Sequence, residues 1–283
     1  PPLRTRQAWD SASRSCEPSR MLIMAMQAAG IAMKAARNSG SSSPPVTRWR
    51  VRMAFDDALV PSMPFLETDF FQRDVLTVAR ELVGVELVWN GCSGIIVETE
   101  AYAVADDPAC HTASRPSARE FVRSKPPGAA YVYFNYGMYW LFNLLVKGGE
   151  RDGLILIRAL EPRKGLESMQ SRRNREKARD LCSGPGKLAQ ALAIDGTHHG
   201  LPMVGKGRKA GYGLKSSVLP AHDIVSDIRV GISQAVDFPW RFLVRGNPHV
   251  SVAHGKVKVP ALPPKVTRRQ KSRSPPCIPG AGR

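Results

Sequence analysis

Two acids and a tyrosine, Glu98, Glu100 and Tyr102, alternate along the stretch from Ile95 to Tyr102. Successive side chains of a strand point to opposite faces, so this spacing puts all three on one face and Val97, Thr99 and Ala101 on the other. If that face is buried, two adjacent carboxylates need cationic or hydrogen-bonding partners, and a carboxylate of raised pKa suits general-base work. A solvated strand face is the alternative. Arg158 interrupts the apolar run from Leu154 to Leu160, where an unpaired guanidinium would be costly. It is therefore expected to meet Glu98, Glu100 or Glu161, either as a structural ion pair or to position a water.

The second concentration of chemistry is aromatic. Tyr131, Tyr133, Tyr136, Tyr139 and Trp140 crowd one short stretch, interrupted by Asn135, Gly137 and Asn143, which a pure core strand would not use. That is the composition of a site for a flat ring. Tyr131 and Tyr133 share a face, while Asn135 to Met138 reads as a turn with Tyr136 at its tip. A ring there is either a wedge between bases or a side chain folded back on its own sheet. His111 has no neighbouring nucleophilic Ser or Cys and so suggests no triad. Gly184-Pro-Gly186-Lys187 precedes a helical pattern and offers free N–H groups as a phosphate seat, although turn geometry alone would also explain the glycines. Leu188 follows the lysine where a Walker loop has Ser or Thr.

These side chains must be held by a mixture of elements. Glu67-Thr-Asp69 is expected to cap a helix running through Phe70, Phe71 and Val75 to Leu82. Short strands follow at 85–88 and 94–102, joined by Asn90-Gly91, a strong hairpin signal. Residues 104–128 read as a long polar loop. Then come the aromatic hairpin, a loop over 147–153, a strand over 154–160, a helical pattern over 165–195 and a last strand and turn within 239–248. Hairpin-like connections predict an α+β fold, one mixed domain with a curved, largely antiparallel sheet flanked by helices.

The formal charge is +17 with a pI near 10.1, and about three quarters of the excess lies in residues 1–52 and 260–283. A polyanion partner is expected, with no mode of recognition specified. Residues 1–60 and 260–283 are read as disordered basic segments around a folded part, 61–259. The apolar stretch from Met21 to Met33 is too short to span a bilayer. Met21 and Met53 are alternative starts, so the leader is either genuine or an over-extended reading frame. Five scattered cysteines without a CxxC pair argue for a reducing compartment and against structural zinc, so no metal and no cofactor are expected.

Seven motifs in order carry a family resemblance: VETEAY (97–102), His111 nine residues on, PPGxAYVY (126–133), YGMYW…N (136–143), LIRALEP (156–162), LCSGPGKLxxALxI (181–194) and RFLVRGNPxVS (241–251). The chain resembles the alkyladenine, or 3-methyladenine, DNA glycosylases from about Leu66 to Ser251. The resemblance implies a single domain that binds duplex DNA and flips a damaged purine into a pocket. By the same resemblance Glu100 is the general base and Arg158 helps hold the attacking water. Tyr102, His111 and Tyr133 bind the flipped base, Tyr136 fills its vacated place, and Asn143 discriminates against the guanine amino group. With no amine nucleophile, hydrolysis should leave an abasic site without strand cleavage. A monomer acting inside the cell, with DNA and no membrane, is expected. Two segments depart from the family pattern: Phe121 to Lys125, and the loop 147–153. A non-catalytic DNA-damage-binding protein of the same fold, or a formyltransferase-like domain, are the competing readings.

Overall fold

Asn90 and Gly91 both adopt positive φ, 42° and 81°, the backbone of a two-residue hairpin whose twist matches its strands. They join β1 (Glu86–Trp89) to β2 (Cys92–Ala103), the strand around which the rest is built. The computed structural model describes residues 63–135, 137–216 and 224–257, all within one unit spanning Val60–Arg283. The leader 1–60, the Met21 to Met33 stretch, the tail 260–283 and Tyr136 therefore lie outside the described residues.

The other strands are β3 (Ala130–Asn135), β4 (Tyr139–Val146), β5 (Gly153–Lys164), β6 (Tyr212–Lys215), β7 (Ile224–Asp227) and β8 (Arg241–Val244). They form one curved sheet in the order β3-β4-β5-β2-β1-β6, with β8 pairing both β2 and β7. Every described strand pair is antiparallel, as the hairpin-like connections predict. Register breaks beside Glu98 bulge β2, whose first residues pair with β1 and whose later ones, Glu98 to Glu100, pair with β8. A bulge bends and twists its strand, which curls the sheet around its acidic segment.

Three local expectations need correction. The predicted first helix is two: a 3-10 turn over Thr68–Phe71, and α1 (Val75–Glu81), which is capped by Asp74 rather than by Glu67 to Asp69. The Asp74 side chain accepts from the N–H groups of Leu76 and Thr77, as an N-cap should. The stretch 104–128 is no plain loop; it holds α2 (His111–Ser114) and α3 (Pro116–Ser124). Pro116 at the first helical position fits the chain's entry, and Ala118, Phe121 and Val122 bury one face of α3. The helical pattern 165–195 is broken into α4 (Leu166–Arg173), a 3-10 turn at Ala178–Asp180 and α5 (Pro185–Ala191).

The larger core packs α1 and α5 on one side of the sheet, with Trp89, Phe142, Ile155 and Ile157 fully buried or nearly so. A smaller cluster joins Phe121 of α3 to Tyr131, Leu145 and Leu154. The two segments that depart from the family pattern meet here: the Lys147 ammonium donates to the carbonyls of Val122 and Arg123, both at 2.9 Å, at the C-terminal end of α3.

Gly153, where β5 begins opposite Ala103, has no room for a side chain. A Cβ there would lie 2.5 Å from Val75 Cγ2 and 2.6 Å from the Tyr102 carbonyl oxygen. Gly153→Ala is expected to destabilise the fold by about 1–3 kcal/mol, as overpacking does. Thermal unfolding measures this, and an unchanged midpoint would refute the close packing.

Candidate active site

Glu98 and Glu100 are both fully buried, which excludes the solvated strand face. Glu100 is surrounded by donors. Its Oε2 accepts from the Tyr102 hydroxyl at 2.8 Å and from Arg158 Nη1 at 3.2 Å, and its Oε1 accepts from the Val230 N–H at 2.7 Å. Arg158, 6% exposed, spans both acids: Nε donates to Glu98 Oε1 at 3.2 Å and Nη2 to Ser251 Oγ at 3.3 Å. Of the three acids expected to meet it, Glu98 and Glu100 do so, while Glu161 pairs with Arg163.

Glu98 is held harder than Glu100. It also accepts from Arg241 Nη1 at 2.7 Å, and from the N–H and hydroxyl of Ser251 at 2.6 and 2.9 Å. Arg241 in turn bonds Asp227 at 2.6 Å and the carbonyls of Ile228 and Val252. Glu98 accepts four hydrogen bonds, three of them on Oε1 and two from guanidinium groups, whereas Glu100 accepts three, and its Oε1 accepts one and retains acceptor capacity.

Arg158 and Tyr102 stand at the inner wall of a cleft of about 470 Å³, also lined by His111, Tyr133, Asn143 and the segment 230–234. Glu100 lies directly behind them. Burial works against the charge of Arg158, but Glu100 and then Glu98 outweigh it and push the guanidinium pKa up. Burial, reinforced by Glu100, holds the Tyr102 hydroxyl protonated far above its ordinary range. Burial does the same for Tyr133.

The other expected base-binding residues, His111, Tyr133 and Asn143, line the same cleft. The His111 and Tyr133 rings meet edge to face with centroids 4.3 Å apart, and the Tyr131 and Tyr133 centroids are 5.6 Å apart. His111 Nδ1 lies 3.2 Å from the Tyr131 hydroxyl. Asn143, buried at the cleft floor, donates from Nδ2 to the Tyr131 carbonyl at 3.2 Å. Its side-chain oxygen is left as an acceptor.

Burial, and after it the Arg115 guanidinium, lowers the His111 pKa from 6.5 to about 4. The imidazole is therefore neutral at physiological pH, and an NMR titration of its ring should give a midpoint near 4. Between about 4 and 6.5 the unfolded chain binds this proton and the folded one does not, so stability should rise with pH across that window. A midpoint at 6.5 or above would contradict this environment.

The Gly184-Pro-Gly-Lys motif opens α5, but Pro185 occupies its first turn and has no N–H. Gly186 lines the cleft and sits against Tyr139, whose ring carbons would lie 2.9–3.2 Å from any Cβ there. Close packing thus accounts for this glycine. Lys187 is exposed beside it. Next to the cleft, Phe134, Met138 and Tyr139 expose large apolar surface on β3, β4 and their connection. Sequence reasoning did not single out Val230, Arg241, Ser251, Asp107 or Arg229. Arg241 and Ser251 lie within a recognised motif, RFLVRGNPxVS, whereas a backbone donor such as the Val230 N–H leaves no mark in a sequence.

Fold and cleft define the class first: an α+β protein with an aromatic-lined cleft beside a buried Glu–Arg pair. A family model described as Methylpurine-DNA glycosylase (MPG) matches residues 69–248. Three relatives carry the provisional name 3-methyladenine DNA glycosylase. One from Rhodopseudomonas palustris (strain HaA2) is 45% identical over 195 residues, covering 67% of this chain and 91% of its own. One from Agrobacterium fabrum is 43% identical over 188 residues, 66% of this chain and 93% of its own. One from Carboxydothermus hydrogenoformans is 43% identical over 190 residues, 66% and 98% respectively. The chain belongs to the methylpurine-DNA glycosylase family, and is a DNA glycosylase, a hydrolase of N-glycosidic bonds. Among the described residues no helix is long and apolar enough to cross a membrane.

Proposed function

We propose that this enzyme excises alkylated purines, 3-methyladenine among them, from duplex DNA by flipping the base into the cleft and hydrolysing its glycosidic bond. The observation that carries this reading is the placement of Arg158 and Tyr102 on the lining of an aromatic cleft, with Glu100 hydrogen-bonded to both. Glu100, through the free acceptor capacity of Oε1, takes a proton from a water whose oxygen attacks the anomeric carbon. The bond to the base nitrogen breaks as the new C–O bond forms. Arg158 orients that water and holds Glu100.

An alkylated purine carries positive charge and leaves as a neutral base, so it needs no proton donor. The neutral imidazole of His111 and the electron-rich rings of Tyr102 and Tyr133 suit a cation in the cleft. Extruding a base costs a few kcal/mol, which stacking at about 1–3 kcal/mol per base offsets. Deaminated purines such as hypoxanthine are neutral and fit as slower substrates. Asn143, on the cleft lining, is assigned from its place in the family motif to discrimination against the guanine amino group. Tyr136 is assigned as the wedge from its place in the family motif, and Lys187, exposed beside the cleft, as a phosphate contact.

Release of free base from duplexes containing 3-methyladenine, 7-methylguanine, 1,N6-ethenoadenine or hypoxanthine tests this directly. Release without strand cleavage is expected, faster for the alkylated cations than for the neutral lesions. Tyr136→Ala should weaken affinity for the lesion duplex. Failure to release any of the four bases would refute the substrate class.

A further inference from the structure

Two loops line the cleft, and one buried ion pair joins them. Asp107 belongs to the segment that leads through Pro108 and Ala109 to His111; Arg229 directly precedes Val230 and the cleft-lining stretch 231–234. Both side chains are fully buried. Arg229 Nη1 donates to Asp107 Oδ2 at 2.6 Å and Nη2 to Oδ1 at 2.9 Å, a two-pronged pair. The same guanidinium reaches the carbonyls of Ala101 on β2 and Ala235 beyond the cleft segment. Asp107 Oδ1 also accepts from the Ala109 N–H at 3.1 Å. Each loop holds a non-glycine residue at positive φ, Asp106 at 62° and Ala235 at 47°. Such backbone persists where the surroundings fix it.

The pair also touches the base-binding surface. The Arg229 guanidinium carbon lies over the Tyr102 ring, 4.7 Å from its centroid. Tyr102 lines the cleft and Arg229 does not, so the cation backs the ring from the protein side. Its neighbour Val230 supplies the N–H that holds Glu100 Oε1. One group thus bears on the stacking ring and, through the backbone, on the carboxylate.

We propose that the Arg229–Asp107 pair is a positioning and specificity-determining element, which aligns Val230 and Tyr102 and tempers the ring's preference for cationic bases. The second effect follows from the ring quadrupole: a cation on one face of Tyr102 competes with a cationic base on the other. This rests on the reading of Tyr102 as a base-stacking residue.

The double variant Arg229→Met/Asp107→Leu removes both charges together and leaves no uncompensated ion, so it is expected to fold. Wild type, this variant and Tyr102→Leu are compared by thermal midpoint and by single-turnover release of 7-methylguanine and of hypoxanthine at saturating enzyme. The maximal rate of the double variant should fall by about 10- to 100-fold, the effect of small misplacements in a site. The ratio of 7-methylguanine to hypoxanthine release should rise several-fold, which a purely structural pair would not alter. Wild-type rates or an unchanged ratio in the folded variant overturn the proposal. Arg229→Lys keeps the charge but not the planar fork, and should lower the maximal rate with the midpoint nearly retained. If the double variant does not fold, a wild-type rate in Arg229→Lys overturns the proposal. Wild-type release by Tyr102→Leu would instead refute the stacking reading, and is thereby distinguished from failure of the clamp.

Discussion

Glutamine in place of Glu100 is expected to lower single-turnover base release by about 10²–10⁴-fold, the usual contribution of a positioned general base. Affinity for a lesion duplex should change little, because the stacking rings and the cleft floor are untouched. The substitution is nearly isosteric but not electrostatically neutral. The carboxylate accepts from Val230 on one oxygen and from Tyr102 and Arg158 on the other. An amide has a single acceptor oxygen, so its NH2 must face either Val230 N–H or Arg158, neither of which can accept. Arg158 keeps Glu98, so the fold should survive and the thermal midpoint should fall only modestly. Release at the wild-type rate by a folded Glu100→Gln would remove Glu100 from the chemistry. Loss of lesion binding in parallel with release would show that the residue works by shaping the cleft instead.

How much of this was legible beforehand depended on the range of the interactions involved. Asn90-Gly91 announces its hairpin because the turn's positive φ values restrict which residues fit there. Arg158 announces its partners because a guanidinium in an apolar strand has few physical options, and the two acids it meets, of the three expected, lie on the adjacent strand β2. The helix start was misread for the opposite reason. Glu67-Thr-Asp69 and Asp74 are both plausible caps, and only packing of Phe71 and Val75 in the core decides between them. The helices inside 104–128 are short, and α3 is stabilised by burying Phe121 against Tyr131 and Leu145, a tertiary effect that local composition does not encode. Ser251 reaches Glu98 across 153 positions and Val230 reaches Glu100 across 130, one through its backbone N–H and hydroxyl and the other through the backbone alone. Recurring motifs flag such segments as important without saying what they touch.

Arg158→Met should expose the coupling between stability and rate. The substitution leaves Glu98 compensated, since Arg241 and both Ser251 donors remain. Glu100, however, loses its only cationic hydrogen-bond partner among the described residues and is left buried with Tyr102 and Val230. Breaking a buried pair from one side costs about 3–5 kcal/mol, and in a domain of this size each kcal/mol lowers the midpoint by about 2–4 °C. Base release should fall as well, because Arg158 both lines the cleft and holds the carboxylate. Adding Glu100→Gln to Arg158→Met separates the two effects. Removing the orphaned charge should recover part of the lost stability, while the rate should fall no further than in the more impaired single variant. Groups that act as a unit are non-additive in this way. Thermal unfolding and single-turnover release on the four proteins of the cycle give both couplings. Rate losses that multiply, with stability losses that add, would mean that Glu100 and Arg158 serve the reaction independently, and that the short buried contact between them is structural.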